Sequence, residues 1–250
     1  MLKTVNLSKA FGGVRAVDKC TIELESGRIN CLIGPNGSGK TTLFDLITGL
    51  IAADSGDIYL NGEKINNLNC EQIANIGISR LFQQPRLFKN LTVKDNLVIA
   101  FNNDDTMFWR NLFNIDSNKV EKEKEIDKLL NLMKMKEYTD KLARELSYGQ
   151  KRLVELLRVS IKPHKILMLD EPMAGTSPII QKEIKDFLLH LNRIGKTIFM
   201  IEHNMQFVFD IADWVFVMDR GQIVMKGKPD EMRNDFRLTE LFFRGKNVRS

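Results

Sequence analysis

The sequence is poor in cysteine and has no long apolar run, and each absence excludes a class of protein. Cys20, Cys31 and Cys70 are odd in number and lack CxxC spacing, which argues against a disulfide framework or a structural zinc site. Buried, reduced thiols in a cytosolic protein are the simplest interpretation. No apolar run reaches the roughly 18 residues that a membrane-spanning helix needs. The segment Met1–Asn6 has no apolar signal core, so we expect no export.

The sequence also lacks a strong charge of one sign. It has 37 Lys and Arg residues and 32 Asp and Glu residues, which gives a net charge of +5. The tail Arg233–Ser250 holds five basic and two acidic residues. We interpret it as a solvated terminus, with contact to acidic lipid head groups or a partner as the alternative. Because no basic stripe runs along the rest of the chain, we expect no nucleic-acid partner.

Short apolar runs that end abruptly indicate a parallel sheet. Ile29–Ile33, Ile166–Leu169 and Ile198–Ile201 are continuous apolar segments, as in strands buried on both faces. Amphipathic helical segments alternate with them, which predicts an α/β fold. Gly56–Lys64 and Trp214–Met225 instead have the pattern of antiparallel strands, the second as a hairpin.

A helical region interrupts this pattern. Asn90–Ile161 is mostly helical in its periodicity, and the mixed charges of Lys119–Lys128 are typical of a solvated helix face. We therefore predict a helical subdomain over residues 90–161. It is inserted between the two parts of an α/β core, residues 1–89 and 162–250.

The segment Gly34–Thr41 fits the phosphate-binding pattern GxxxxGK[ST]. It follows a predicted strand and precedes a predicted helix, Thr42–Leu50, which is the context that this loop requires. Its glycines allow backbone N–H groups to surround phosphate oxygens, and the helix start adds positive potential. Lys40 is expected to reach the β- and γ-phosphates, and the Thr41 hydroxyl to bind Mg²⁺.

A second strand ends in two carboxylates. Asp170 comes directly after the apolar run Ile166–Leu169, where it can hold a metal-bound water near the phosphate loop. Glu171 follows it and is placed to act as general base on the attacking water. An apolar run followed by acids is weak by itself and gains weight from the phosphate loop.

The segment Leu146–Gln150 predicts a helix start. Ser147 and Gln150 have the spacing of a capping box, Ser-x-x-Gln. A plain helix cap is one interpretation, and a phosphate site at a helix N-terminus is the other.

His203 follows the predicted strand Ile198–Ile201 and Glu202. A single histidine is more often structural. This one lies at the sheet edge where phosphate is expected, which favours a functional role. His164 and His190 are assigned no role.

Together and in this order, the motifs resemble those of the ATP-binding subunits of ABC transporters. Gly34–Thr42 matches the Walker A motif, Leu146–Gln150 the signature, Ile166–Pro172 the Walker B motif, and Ile201–Met205 contains the switch histidine. The similarity covers nearly the whole chain. It implies an α/β fold with a P-loop NTPase (RecA-like) parallel-sheet core, an N-terminal antiparallel β region and a helical subdomain that carries the signature.

The resemblance also implies the ligands, ATP and Mg²⁺, and the role of each site residue. Phe11 would stack on adenine, and Gln83 would sense Mg²⁺ and the attacking water. The implied nucleotide-binding residues are Phe11, Val17, Asn36, Gly37, Ser38, Gly39, Lys40, Thr41, Thr42, Ser147, Gly149 and Gln150. The implied catalytic residues are Glu171, His203, Lys40 and Gln83, and the implied magnesium-binding residues are Thr41, Gln83 and Asp170.

Two positions depart from the family pattern. Tyr148 stands in the signature where glycine is commonest, and Ala174–Ser177 occupies the D-loop without its usual aspartate. Since Ser147 and Gly149 are retained, we expect the signature to keep its phosphate contact. The signalling role of the D-loop stays open.

Within the superfamily, the chain is similar to the ATPases of branched-chain amino acid importers. The similar segments include Phe11–Val17, Ser79–Phe88, Leu91–Leu97, Ser147–Arg152 and Asp170–Pro178. Phe101–Lys119 fits their extended helical region, the alternative being that Phe108, Trp109 and Phe113 only cap the helical core. Urea importers, lipopolysaccharide-export ATPases and a non-transport ABC ATPase are the alternative functions.

The resemblance implies partners as well. One Walker A motif and one signature require a second ATPase subunit, either a copy of this chain or a paralogue, to enclose ATP. Transmembrane permease subunits are the expected partners, with a substrate-binding protein acting indirectly. The expected location is cytoplasmic, on the inner face of the cell membrane. Arg86–Phe88 could line the groove for a permease helix, or Leu87 and Phe88 could belong to the helical core.

Overall fold

The computed structural model describes residues 1–101, 119–233 and 235–244. The predicted aromatic region around Phe108, Trp109 and Phe113 and the last basic residues of the tail lie outside the described residues. The strands are β1 (Leu2–Phe11), β2 (Val14–Cys20), β3 (Ile29–Ile33), β4 (Ser55–Leu60), β5 (Glu63–Lys64), β6 (Ile78–Leu81), β7 (Ile166–Asp170), β8 (Thr197–Ile201), β9 (Trp214–Asp219) and β10 (Gln222–Gly227). The helices are α1 (Lys40–Ile47), α2 (Cys70–Asn75), α3 (Val93–Phe101), α4 (Lys119–Leu132), α5 (Tyr148–Ile161), α6 (Pro178–Arg193), α7 (Met205–Ile211), α8 (Pro229–Arg233) and α9 (Phe236–Arg244).

The chain forms two compact units. The first, here named the sheet unit, comprises Met1–Arg80, His164–Glu171 and Leu189–Ser250. The second, named the helical unit, comprises Leu81–Pro163 and Pro172–Leu188.

Three apolar strands form the centre of a six-stranded sheet with the order β10-β9-β3-β8-β7-β6. Every residue of β3, β7 and β8 is buried. These strands are parallel, with Ile29 opposite Ile198 and Ile166 opposite Thr197. Burial on both faces explains the continuous apolar runs, and all three strand predictions are confirmed. Because the strands are parallel, their carboxyl ends meet at one edge of the sheet.

The antiparallel predictions are confirmed too. A four-stranded sheet has the order β2-β1-β4-β5, and β1 is antiparallel to both β2 and β4. The hairpin β9–β10 turns at Arg220 and Gly221, whose φ angles are 46° and 83°. Positive φ at both turn residues matches the right-handed twist of the flanking strands.

One hydrophobic core joins the elements of the sheet unit. Phe44 of α1 lies with its ring centroid 4.8 Å from that of Phe199 in β8, and Phe199 is 6.5 Å from Phe216 in β9. Side chains of the antiparallel strands, such as Leu2 and Leu7, belong to the same buried cluster. This packing fixes α1, and therefore the loop before it, against the sheet.

The cysteines divide into two kinds. Cys20 and Cys31 are buried free thiols, as expected, but Cys70 is exposed. The interpretation of all three as buried is thus wrong for Cys70. It is the first residue of α2, a helix that buries only Ile73.

The helical unit has its own core. Helices α3, α4 and α5 contribute buried apolar side chains, among them Leu97, Ile126, Leu130, Leu153 and Leu157. Short 3-10 turns at Lys136–Tyr138 and Ala143–Glu145 connect α4 to α5. Among the described residues of the whole chain, no helix combines the length and apolar character needed to cross a bilayer.

Candidate functional site

The loop between β3 and α1 depends on glycine at two close approaches. Gly34 and Gly39 have φ angles of 154° and 103°. A Cβ atom on Gly34 would lie 2.0 Å from the carbonyl oxygen of Met218, and one on Gly39 would lie 2.0 Å from that of Ala16. Any side chain at these positions would displace the loop from the strands beneath it. The predicted phosphate-binding loop therefore has the strand–loop–helix context that its chemistry requires.

Lys40 lies inside this loop. Its Nζ donates hydrogen bonds to the carbonyl oxygens of Gly34 and Pro35, both at 2.9 Å, and lies 3.4 Å from the Ser38 hydroxyl. Burial lowers the pKa of Lys40, and the carboxylates of Glu171 and Asp170 oppose this shift. The Lys40 ammonium group thus lies at the start of α1, where the backbone N–H groups also favour the binding of anions.

Asp170 ends β7 and forms a buried ion pair that sequence reasoning missed. Arg80 of β6 places Nη2 3.2 Å from Asp170 Oδ2, while its Nη1 lies 2.6 Å from Asp45 Oδ1 and 3.0 Å from the Thr48 hydroxyl. Burial raises the pKa of Asp170, and the Arg80 guanidinium opposes this shift. Arg80 thereby links the helix after the phosphate loop to the end of β7. The sequence indicates a special role for Arg80 only by placing a basic residue in an apolar strand.

Glu171 and His203 meet at the same sheet edge. Glu171 Oε1 lies 2.6 Å from His203 Nε2, at the ends of the adjacent strands β7 and β8. The φ angle of Glu171 is 46°, a left-handed conformation that is uncommon outside glycine and frequent at functional sites. The N–H of Glu171 donates to the Ile201 carbonyl at 3.1 Å, which holds this turn. Two residues 32 positions apart therefore form one carboxylate–imidazole pair.

The signature segment starts α5 in the helical unit. Ser147 is the N-cap, with its hydroxyl accepting a hydrogen bond from the Gln150 N–H at 3.3 Å. The Gln150 side chain accepts from the Ser147 N–H at 2.9 Å, so the predicted capping box is confirmed. A Cβ on Gly149 would lie 2.9 Å from the Ile180 side chain, which explains the glycine.

The two departures from the family pattern lie side by side. Gly175 of the D-loop has a φ angle of 70°, and a Cβ added to it would lie 3.3 Å from Cε1 of Tyr148. The Tyr148 ring therefore covers the D-loop backbone at a position where only glycine fits well. About 45% of Tyr148 remains exposed.

The other candidate residues differ in accessibility. Asn36, Gly37 and Thr41 are exposed, Gly39 and Thr42 are partly exposed, and Ser38 is buried. Phe11 is 50% exposed at the end of β1. Val17, in contrast, is fully buried in the core of the sheet unit, so its side chain presents no surface to a ligand.

The candidate residues are divided between the two units. Lys40, Asp170, Glu171 and His203 belong to the sheet unit. Gln83 and the signature residues belong to the helical unit, where Gln83 is exposed in the segment after β6.

The donor atoms of the sheet unit fit a magnesium site of a particular kind. The Thr41 hydroxyl and the Asp170 carboxylate offer oxygen, the ligand that Mg²⁺ prefers. Among the described residues, no three His, Cys, Asp or Glu side chains form a metal-binding group. One or two protein oxygens of this kind suit Mg²⁺ when substrate phosphates and water supply the other ligands.

Comparison with known proteins agrees with this geometry. Residues 17–174 match the family model described as "ABC transporter". The chain is 34% identical over 247 residues to a probable branched-chain amino acid transport ATP-binding protein LivG of Archaeoglobus fulgidus, covering 97% of this chain and 95% of that protein. It is 35% identical over 240 residues to the high-affinity branched-chain amino acid transport ATP-binding protein LivG of Escherichia coli, covering 94% of each.

A solved structure supports the fold. The ADP conformation of an ATP-binding cassette of an ABC transporter superposes with a TM-score of 0.83, at 35% identity and 96% coverage of both chains. Together with the matched family model, this confirms the α/β P-loop NTPase fold. The chain belongs to the ABC transporter family and is an ABC-type ATPase subunit.

Proposed function

We propose that this chain binds and hydrolyses ATP to drive import of branched-chain amino acids through a membrane permease. The observation that carries the proposal is the Glu171–His203 pair, 2.6 Å apart at the sheet edge that also bears the phosphate loop. Since β3, β8 and β7 are neighbours, a cation, an imidazole and a carboxylate follow three adjacent strand ends. The relatives named as branched-chain amino acid transport ATP-binding proteins support the choice of substrate.

The proposed reaction uses these residues for positioning and proton transfer. Lys40 and the loop N–H groups bind the β- and γ-phosphates. A water oxygen attacks the γ-phosphorus, its proton passes to Glu171, and the bond to the β-phosphate oxygen breaks to give ADP and phosphate. His203 orients Glu171 and contacts the γ-phosphate. Mg²⁺, held by Thr41 and Asp170 with Gln83 as sensor, would neutralise phosphate charge.

We further propose the remaining nucleotide contacts and the assembly. ATP lies between the phosphate loop of one subunit and Ser147, Gly149 and Gln150 of a second ATPase subunit, a copy or a paralogue. Phe11 stacks on adenine. The partners are transmembrane permease subunits, which the chain meets at the inner face of the membrane. The chain has no nucleic-acid partner. The proposed domains are a core of residues 1–89 and 162–250 and a helical subdomain of residues 90–161, whereas the compact units of the fold assign residues 81–89 and 172–188 to the helical unit.

The proposed dock for the permease lies after Gln83. Phe88 is 52% exposed, which supports docking over burial in the helical core for this side chain. The guanidinium of Arg158 lies 5.9 Å from the Phe88 ring centroid, and that of Arg86 lies 4.0 Å from the Phe82 ring centroid. An exposed apolar ring beside a cation suits a short permease helix with an acidic residue.

Affinity purification tests this function. A tagged Glu171→Gln chain is isolated with bound ATP from detergent-solubilised native cells, and the co-purifying proteins are identified. Recovery of a multi-span permease and a second ATPase subunit supports the proposal. Recovery of only ribosomal or other non-membrane partners would overturn the transport function while leaving the ATP chemistry intact. Glu63→Gln, on the exposed strand β5, is the matched control for the tag and the charge change.

A further inference from the structure

Buried polar side chains hold the irregular segment that follows β6. Residues 82–92 form no helix or strand apart from an isolated bridge at Thr92. Nevertheless, their backbone is bonded to three side chains of the helical unit that are almost fully buried. These are Asn96 of α3, at 0% exposure, and Arg152 and Glu155 of α5, at 1% and 4%.

Arg152 binds two carbonyl groups. Its Nη1 donates a hydrogen bond to the carbonyl of Phe82, the residue before Gln83. Its Nε donates to the carbonyl of Pro172 at 3.1 Å, and Pro172 directly follows Glu171 in the chain. Arg152 Nη1 also lies 3.7 Å from Glu155 Oε2. One side chain of the signature helix therefore contacts the backbone next to both Gln83 and Glu171.

Glu155 binds the other side of the Gln83 segment. Its Oε1 accepts a hydrogen bond from the backbone N–H of Arg86. One turn further along α5, Arg158 Nη1 donates to the carbonyl of Arg86 at 2.7 Å. Both polar backbone groups of Arg86 are thus bonded to α5, and Gln83 lies between two attached points of the segment.

This arrangement is poorly explained as a device for stability. A buried ion pair recovers little more than its desolvation cost, and apolar replacement is often neutral or stabilising. Hydrogen bonds from buried side chains to a loop backbone do, however, fix direction and distance. Arg152 and Glu155 are consequently better suited to fixing the position of this loop than to stabilising the fold.

We propose that Arg152 and Glu155 are positioning residues that attach the segment Phe82–Arg86 to α5, so that this segment moves with the signature. The inference rests on the proposed function for the roles of Gln83 and Ser147. Ser147 lies about 12 Å along the helix from Glu155, at 1.5 Å per residue. A displacement of the signature would therefore reach the residues around Gln83 through one rigid helix.

Hydrogen exchange of the full chain tests the attachment directly and needs no ATP turnover. Glu155→Leu removes the acceptor at similar volume. We expect amide exchange at Arg86 and its neighbours to accelerate about tenfold or more, because a hydrogen bond to a charged acceptor is lost. Glu183→Leu is the matched control, a buried carboxylate of the same unit that pairs with Lys134 at 2.7 Å. It should leave exchange at residues 82–88 unchanged.

Steady-state ATP hydrolysis tests the consequence. Since the phosphate loop is untouched, Arg152→Met and Glu155→Leu should lower kcat about tenfold or more while KM for ATP stays within about twofold. Arg152→Lys and Glu155→Gln, which keep a donor or an acceptor, should restore part of kcat. If the apolar variants do not fold, these two conservative variants provide the test of kcat and KM instead.

Several results would overturn the inference. Exchange that stays at the wild-type rate in residues 82–88, or that rises equally throughout α3 and α5, would indicate a merely structural pair. Faster amide exchange in residues 82–88 with an unchanged kcat would show that the attachment of this segment does not affect the role of Gln83. A wild-type chain without ATPase activity would instead contradict the proposed function, and exchange would still decide whether the attachment exists.

Discussion

The two units of this chain place their functional groups by opposite means. In the sheet unit, Lys40, Glu171 and His203 follow buried strands, so the backbone topology positions the side chains. In the helical unit, Asn96, Arg152 and Glu155 are buried and bonded to an irregular backbone, so the side chains position the loop.

This difference predicts different responses to mutation. Removing the Glu171 side chain should abolish chemistry and leave the fold intact, because the turn at this residue is held by its backbone N–H. Removing a buried side chain that holds a loop should leave several backbone groups without a hydrogen-bond partner, and the fold should lose stability.

The largest effect is expected for Glu171→Gln in the sheet unit. Loss of a general base should lower kcat by about a hundredfold to ten-thousandfold. ATP binding should persist because Lys40 and its loop are unchanged. Turnover is measured by phosphate release and binding by equilibrium titration, with Glu63→Gln as the control. Turnover near the wild-type rate would contradict the assignment of Glu171 as base.

The helical unit should respond to Asn96→Ala with a loss of stability. The Asn96 side chain binds the N–H and carbonyl of Phe88 at 2.9 and 3.1 Å and the carbonyl of Thr92 at 2.9 Å. We expect the free energy of unfolding to fall by about 3 kcal/mol, since these groups lose their partner and a cavity forms. Denaturant titration measures it. Asn131→Ala, at an exposed position, should cost less than about 0.5 kcal/mol.

A double-mutant cycle tests the contact between Tyr148 and Gly175. Gly175→Ala should destabilise by about 1 kcal/mol from its positive φ, and by roughly 1 kcal/mol more from the Tyr148 ring. In a Tyr148→Gly background the second part should disappear. Gly195→Ala, with φ of 84° and nothing within 4 Å of its Cβ, isolates the backbone part. Equal costs of Gly175→Ala in both backgrounds would show that the two positions are not coupled.

The smallest effect concerns the cysteines, whose labelling should leave the fold unchanged. Burial raises the pKa of Cys20 to about 12 and that of Cys31 well above its ordinary value. Both thiols should therefore stay protonated and unreactive at mildly alkaline pH, while the exposed Cys70 reacts. Mass spectrometry after brief treatment with a thiol reagent should find one label. A second label without denaturant would indicate that the sheet core opens.

Local pattern was sufficient for much of the sheet unit and for the start of α5 in the helical unit. The apolar runs predicted β3, β7 and β8, and the spacing Ser147-x-x-Gln150 predicted the cap of α5, because each depends on neighbouring residues. The attached loop of the helical unit was not predictable in this way. Phe82 and Arg152 are 70 positions apart, and Arg80 and Asp170 are 90 apart. Only the folded chain places such residues together.

The α/β class, the phosphate loop and the order of the motifs could be predicted from the amino-acid sequence alone, since periodicity and glycine placement are short-range properties. The folding of the chain brought distant side chains into contact. It paired Glu171 with His203, joined Arg80 to Asp170, buried Val17, exposed Cys70 and set Tyr148 over Gly175. These outcomes depend on packing between elements distant in the chain, which no local pattern encodes.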